Sequence, residues 1–140
     1  MYNPQDPAGA SRTPGRWHTL GYRILYFCSS LALSILELKA NSVSFSAIRK
    51  EYHYIDIEII DNLTIEEAPK SLYTKDWILN RKKTQDFGIG WYKSLSSPIL
   101  KIRSAVLPTD DNYIINTTHP DFLKLKFSKP KPILLDSRII

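Results

Sequence analysis

The sequence predicts a mixed α+β domain, a single strand-rich unit with more strand than helix. Three observations predict it. Two runs alternate apolar and polar residues as half-buried strands do, 54–60 and 99–107. One apolar segment, Leu31 to Ala40, carries helix-capping residues at both ends. The 140 residues suit one domain, which buries roughly two-thirds of its unfolded surface without needing metal or disulfide staples.

In chain order, residues 1–14 are rich in Pro, Gly and Ser and read as an extended arm, leaving 15–140 as the domain. Tyr22 to Phe27 is rich in β-formers and reads as a strand. Ser29 and Ser30 offer an N-cap to a helix over Leu31–Ala40 that Asn41 closes. At 100° per residue its apolar positions surround most of the axis, with Ser34 and Glu37 together on a narrow side, so the helix is expected to be buried. Tyr54 to Ile60 puts Ile55, Ile57 and Ile59 on one face and Asp56 and Glu58 on the other. Thr84 to Leu95 reads as a helix interrupted by Gly88 and Gly90. In Ile99 to Leu107 the row Leu100, Ile102, Ser104, Val106 faces away from Lys101, Arg103 and Ala105. Asn112 to Pro120 reads as a structured loop, and short strands are expected near Leu123–Phe127 and Ile133–Leu135.

At 43% hydrophobic and 24% charged, the composition is that of a soluble globular protein. The one cysteine, Cys28, forms no internal disulfide and leaves no cysteine cluster for zinc, which suits a reducing compartment. The longest apolar stretch is broken by Ser29, Ser30, Ser34 and Glu37, too short and too polar for a membrane anchor. A net charge of +5 attracts polyanions in general, whether nucleic acid, nucleotide phosphates or an acidic partner. The basic residues are dispersed apart from Arg81-Lys82-Lys83, and no nucleic-acid module signature accompanies them.

Two polar residues stand at apolar positions. Glu37 is a carboxylate on a helix expected inside, where an unpaired charge is expensive. Ser104 lies in the apolar row of its strand, facing the core or a cleft. Three histidines, none at ligand spacing, point to no metal site. His119, before Pro120, is expected to fix its loop. Gly88 and Gly90 form no phosphate-cradling loop of the known types. No Ser-His-acid pattern accompanies Ser104, so it is not read as an acylating nucleophile.

The blocks Gly15-Arg16-Trp17-His18, Ile24-Leu25-Tyr26, and Ser30 through Glu37 resemble the signature of the RES domain, a family named for an Arg, a Glu and a Ser. The resemblance continues in order through Gly90-Trp91, Ser104 to Pro108, Asn112 to Asn116, His119 to Phe122, and an ending Leu135-Asp136-Ser137-Arg138. It departs at Ile102-Arg103-Ser104, where Val-Pro-Ser is usual, at Thr117-Thr118, and before Gly15, where either the start is shortened or the arm Tyr2 to Pro14 does the work of a further strand differently. The resemblance implies a fold like that of ADP-ribosyltransferases. It also implies a bacterial cytoplasmic toxin that degrades NAD by phosphorolysis or hydrolysis and is neutralised by an Xre-type antitoxin. Carried over, the catalytic set is Arg16, Tyr26, Glu37 and Ser104, and the substrate lies beside Arg16, Trp17, His18 and Tyr26.

That chemistry suits these residue types. Nicotinamide leaves NAD neutral, so the barrier lies in the oxocarbenium ion developing on the ribose, which a fixed carboxylate such as Glu37 stabilises. Arg16 is a planar double donor for phosphate oxygens, those of the pyrophosphate or of an attacking phosphate. Tyr26 is placed to stack on nicotinamide or ribose, and Ser104 to bond a phosphate or hold Glu37 or Arg16. NAD is then substrate, inorganic phosphate a candidate co-substrate, and no cofactor or metal is expected. Other readings stay open. One is a basic nucleic-acid-binding module, which needs aromatics interleaved with Lys and Arg on one face. Another is a catalytically weak RES domain acting through antitoxin binding. A third transfers ADP-ribose to a macromolecule. In the toxin reading, nucleic acid is met only through the antitoxin.

Overall fold

The computed structural model describes residues 15–140; the expected arm over 1–14 lies outside the described residues. Among these, eight strands and three α-helices form a mixed α/β unit. The centre is a four-stranded sheet in the order β1-β6-β5-β4, made of β1 (Ile24–Cys28), β4 (Ile65–Glu67), β5 (Ile99–Arg103) and β6 (Asp111–Asn116). β6 runs antiparallel to both β1 and β5, whereas β4 joins β5 in parallel. Apolar clusters cover both faces. Trp17, Ile24, Trp77, Trp91, Leu100, Ile102 and Ile114 fill one, and Leu25, Leu63, Ile99, Ile115 and Leu125 fill the other. Ile24 and Leu25 therefore point to opposite sides and are both buried.

Helix α1 (Leu31–Ala40) has the predicted bounds. Ser30 Oγ accepts from Leu33 N at 3.1 Å, and the Asn41 N–H reaches the last-turn carbonyls. The expectation that it is buried all round is corrected: of its residues only Leu33 is buried, and Leu36 is 43% exposed. The reason is position. α1 packs beside β1, which is an edge strand, so among the described residues the sheet covers one side of the helix.

Helix α2 (Phe45–Glu51), not anticipated, follows the cap of Ser44 Oγ on Ala47 N. The strand expected over 54–60 is split into β2 (His53–Tyr54) and β3 (Ile57–Glu58). These pair with β8 (Lys131–Pro132) and β7 (Lys126–Phe127), so no single partner runs the whole length. The alternation itself stands, with Ile55, Ile57 and Ile59 half-buried and Asp56 and Glu58 exposed. Helix α3 (Arg81–Ser94) begins three residues before the expected start and runs through both glycines. The strand expected over 99–107 ends at Arg103; Ser104 is buried, but Val106 is exposed beyond it. The largest correction concerns 112–120. Most of the expected loop is β6, the strand at the heart of the sheet. Of the strand expected near Leu123–Phe127 only β7 forms, 120–124 being a 3₁₀ helix, and the last pairing falls at β8 instead of 133–135.

Candidate active site

The turn Gly15–His18 closes on itself, Gly15 N donating to His18 O at 3.0 Å. The first turns of α3 hold it. Thr84 Oγ bonds Arg16 O at 2.6 Å, and Gln85 Nε2 bonds Gly15 O at 2.8 Å. At Gly88 a Cβ would overlap the Trp17 carbonyl oxygen, so only glycine lets the turn and the helix meet. The Arg16 guanidinium then lies over the Trp77 ring, 5.9 Å from its centroid, and Nη1 donates to Ile78 O at 2.6 Å.

The same turn receives Tyr26 from β1. Its hydroxyl accepts from Trp17 N at 3.2 Å and meets His18 Nδ1 at 2.7 Å. The hydroxyl end is therefore inside while the residue as a whole remains 40% exposed. Burial pushes the phenol well above its usual range, and the bond from Trp17 N only partly offsets it. Two of the residues expected beside the substrate lie in the interior of the chain. Trp17 is 1% exposed and packs edge-on against Tyr73 and Phe87 in the core. His18 is 2% exposed and turned onto Tyr26. Both support the turn from beneath, where α3 packs against it.

The second half of the site is Glu37. From the last turns of α1, its Oε1 accepts two hydrogen bonds, from Ser104 Oγ at 2.9 Å and from Asn112 Nδ2 at 2.8 Å. Ser104, just past β5 and fully buried, is itself held, its Oγ accepting from Val106 N and Leu107 N at 3.2 and 3.0 Å. Asn112 lies on β6, opposite Ile102 on one side and Cys28 on the other. It falls in the Asn112 to Asn116 block of the family resemblance, but the sequence assigned it no role. Polar residues recurring at Asn112 and Asn116, around an Ile-Ile pair, were the available signal.

The halves sense each other. Partial burial and the charge of Arg81 hold the Arg16 guanidinium below its ordinary value, while Glu37 and Tyr26 act the other way. Arg81, which sequence reasoning passed over as part of a basic run, is thus a neighbour of the site. Cys28 borders it too: burial raises the thiol, a bond with Ser34 opposes that, and the Glu37 charge adds to it. The structure brings Tyr26 against the turn that carries Arg16, and Ser104 against Glu37 at the Arg103 end of β5. Two cavities flank this end, about 140 Å³ beside Tyr73, Lys101 and Arg103 and about 230 Å³ beside Phe27, Cys28 and Tyr113. Neither is lined by Glu37, Ser104 or Arg16, so the carboxylate and guanidinium stand outside both. A carboxylate fixed through one oxygen beside a guanidinium can favour a developing cation while holding an anion near it.

His119 fixes its segment as expected, Nδ1 accepting from Asp121 N and Nε2 donating to Leu95 O, both at 3.0 Å. Among the described residues, no helix is long and apolar enough to cross a membrane.

Comparison with known proteins gives a consistent picture. The RES domain family matches residues 2–136. The Prs ADP-ribosylating toxin of a Sphingobium strain is 30% identical over 137 residues, spanning 95% of this chain and 84% of that protein. Toxin Res of Yersinia enterocolitica is 30% identical over 138 residues, spanning 94% and 87%. Among solved structures, a chain in the crystal structure of the M. tuberculosis MbcT–MbcA toxin–antitoxin complex superposes with a TM-score of 0.70 at 16% identity, covering 95% of this chain and 79% of that one. At that identity the likeness speaks to the fold.

Proposed function

The chain belongs to the RES domain family, and from that membership we propose that it is a toxin enzyme that breaks the nicotinamide–ribose bond of NAD. The observation that carries the reading is the convergence of Ser104 and Asn112 on one oxygen of Glu37, with Arg16 close enough to feel its charge. Relatives named as toxins, one of them ADP-ribosylating, support it.

In this reading the bond between ribose C1′ and the nicotinamide nitrogen breaks, and its electron pair leaves with nicotinamide, cancelling the ring charge. The cation left on the ribose is stabilised by Glu37, whose carboxylate is oriented before the substrate arrives. Arg16 holds a phosphate, either the substrate pyrophosphate or an attacking phosphate, giving up its bond to the Ile78 carbonyl as it does so. An oxygen of water or phosphate then bonds C1′, and water gives up a proton. Tyr26 offers its ring face to the substrate, since its hydroxyl is committed to the turn. NAD is substrate, and the reaction needs no metal or further cofactor.

A second reading rests on the name of the Sphingobium relative: the acceptor is a nucleophile on a macromolecule, to which ADP-ribose is transferred. Incubating the purified protein with NAD and a chelator, with and without phosphate, tests both. NAD lost in buffer alone marks hydrolysis, and loss only with phosphate marks phosphorolysis. NAD consumed only when a cell extract is added marks transfer. Intact NAD in every arm, from protein shown to be folded, overturns the reading.

A cell making such an enzyme in its cytoplasm needs it blocked, and the toxin–antitoxin complex among similar structures supports a partner of that kind. We expect an Xre-type antitoxin whose chain terminus enters near Arg16, with any nucleic acid contacted through that antitoxin. Co-expression of neighbouring genes, none of which relieves toxicity, would sink this.

A further inference from the structure

We propose that Asn112 is a positioning residue for Glu37, one that decides which carboxylate oxygen faces the substrate. The inference rests on the NAD-cleaving reading of the site. Both donors, Asn112 Nδ2 and Ser104 Oγ, converge on Oε1, so Oε2 is the oxygen outside this clamp. The two donors come from different places. Ser104 belongs to the segment after β5, whereas Asn112 is part of β6, whose backbone is paired on both sides. Asn112 is therefore the stiffer of the two anchors, and it ties the carboxylate of α1 to the middle of the sheet.

The other end of the amide shows what this arrangement sacrifices. Asn112 Oδ1 is buried and has no hydrogen-bond partner among the described residues. A buried acceptor left unpaired is destabilising. Turning the amide over would not relieve it, because Oδ1 would then face Glu37 Oε1, acceptor against acceptor. An apolar side chain of similar volume would avoid the unpaired oxygen, so the amide at this position is there for its NH₂ group. The groups facing Glu37 from the surrounding elements are Ser104, Asn112, Arg16 and Cys28. Among the described residues, Asn112 thus supplies one of the two neutral side-chain hydrogen bonds that orient the carboxylate.

Two variants of the full chain test this. In Asn112→Leu, kcat for NAD is expected to fall by about 10- to 100-fold, the scale of a reacting group displaced by a fraction of an ångström to one ångström. KM should hold, and the melting temperature should hold or rise, since the orphaned oxygen is gone. Asn112→Asp keeps the shape and puts a second carboxyl against the first. Only while the pair retains one proton does a hydrogen bond between position 112 and Glu37 survive beside that from Ser104, so turnover should fall as pH rises through the loss of that proton, a limb the natural chain lacks. The ¹³C carboxyl resonance of Glu37, followed with pH in the natural chain and both variants, reads the coupling without any substrate. Natural kcat in the folded Leu variant overturns the proposal, and so does a Glu37 resonance that titrates identically in all three. A resonance that responds in a protein that leaves NAD intact upholds the coupling and removes the assigned reaction instead.

Discussion

Ser104 Oγ donates to Glu37 and accepts from Val106 N and Leu107 N, three bonds on one buried atom. Removing it in Ser104→Ala loosens the carboxylate and also strands two backbone donors. We expect both turnover and stability to drop, the latter by about 1–3 kcal/mol for the donors left unmet, read by calorimetry beside an NAD assay. Glu37→Gln should behave differently. The amide oxygen still accepts from Ser104 and Asn112, so the melting temperature should hold. Turnover should nonetheless fall on the order of 10²-fold or more, because the negative charge opposing the ribosyl cation is gone. A Gln variant that melts early yet turns over normally per folded molecule would make Glu37 a structural residue. Glu37 stood out in the sequence as a carboxylate on an apolar helix, and Ser104 was among the residues expected to hold it or Arg16; the bond from Asn112, 75 residues away, lay hidden.

Among the elements, α3 shows how two similar residues divide. Gly88 and Gly90 both read as interruptions of a helix. In the fold, Gly88 admits the Trp17 carbonyl, and Gly90 faces open space. Gly88→Ala must push the 15–18 turn away from α3, and overpacking of this kind costs about 1–3 kcal/mol. Because the same turn carries Arg16, NAD turnover should fall with it. Gly90→Ala should stabilise by about 0.5–1 kcal/mol through helix propensity alone, with turnover unchanged. Denaturant midpoints for the pair, measured side by side, check the contrast; equal effects would mean that α3 does not hold the turn. The aromatic-rich segments divide in the same fashion. Trp17, Trp77, Trp91 and Tyr73 pack inward as one cluster instead of lining a basic face, which weighs against a nucleic-acid-binding surface built on them.

For the molecule as a whole, burial sets the alkaline limit. Tyr26, Tyr73 and Cys28 all have their ionisation pushed upward, with burial as the first cause. The unfolded chain starts to lose the thiol proton near about pH 8.5 and the phenol protons near about pH 10, while the folded chain keeps them. Above those values the unfolded state binds fewer protons, so stability falls as pH rises. The melting temperature should therefore decline from about pH 8.5 upward and more steeply past about pH 10. Tyr26→Phe should flatten part of the steeper limb, although it also gives up the bonds to Trp17 N and His18. An unchanged slope in that variant would show that Tyr26 ionises as freely in the fold as outside it.

Local chemistry settled the parts of this protein that depend on near neighbours. α1 starts and stops where Ser30 and Asn41 cap it, the β5 row buries Leu100, Ile102 and Ser104, and His119 pins its own loop. Periodicity failed at β6 because Ile114 and Ile115 are both buried, one on each face, so a central strand loses the alternation that marks a half-buried one. It failed at 54–60 because the number of partners a strand has is no property of the strand itself. The choice of Glu37 as the partner of Ser104, the arrival of Asn112 beside them, and the withdrawal of Trp17 and His18 into the interior were decided by tertiary structure alone. A hydrogen bond reaches about 3 Å, and only the register of β1, β6 and β5 brings residues so distant in sequence within that range.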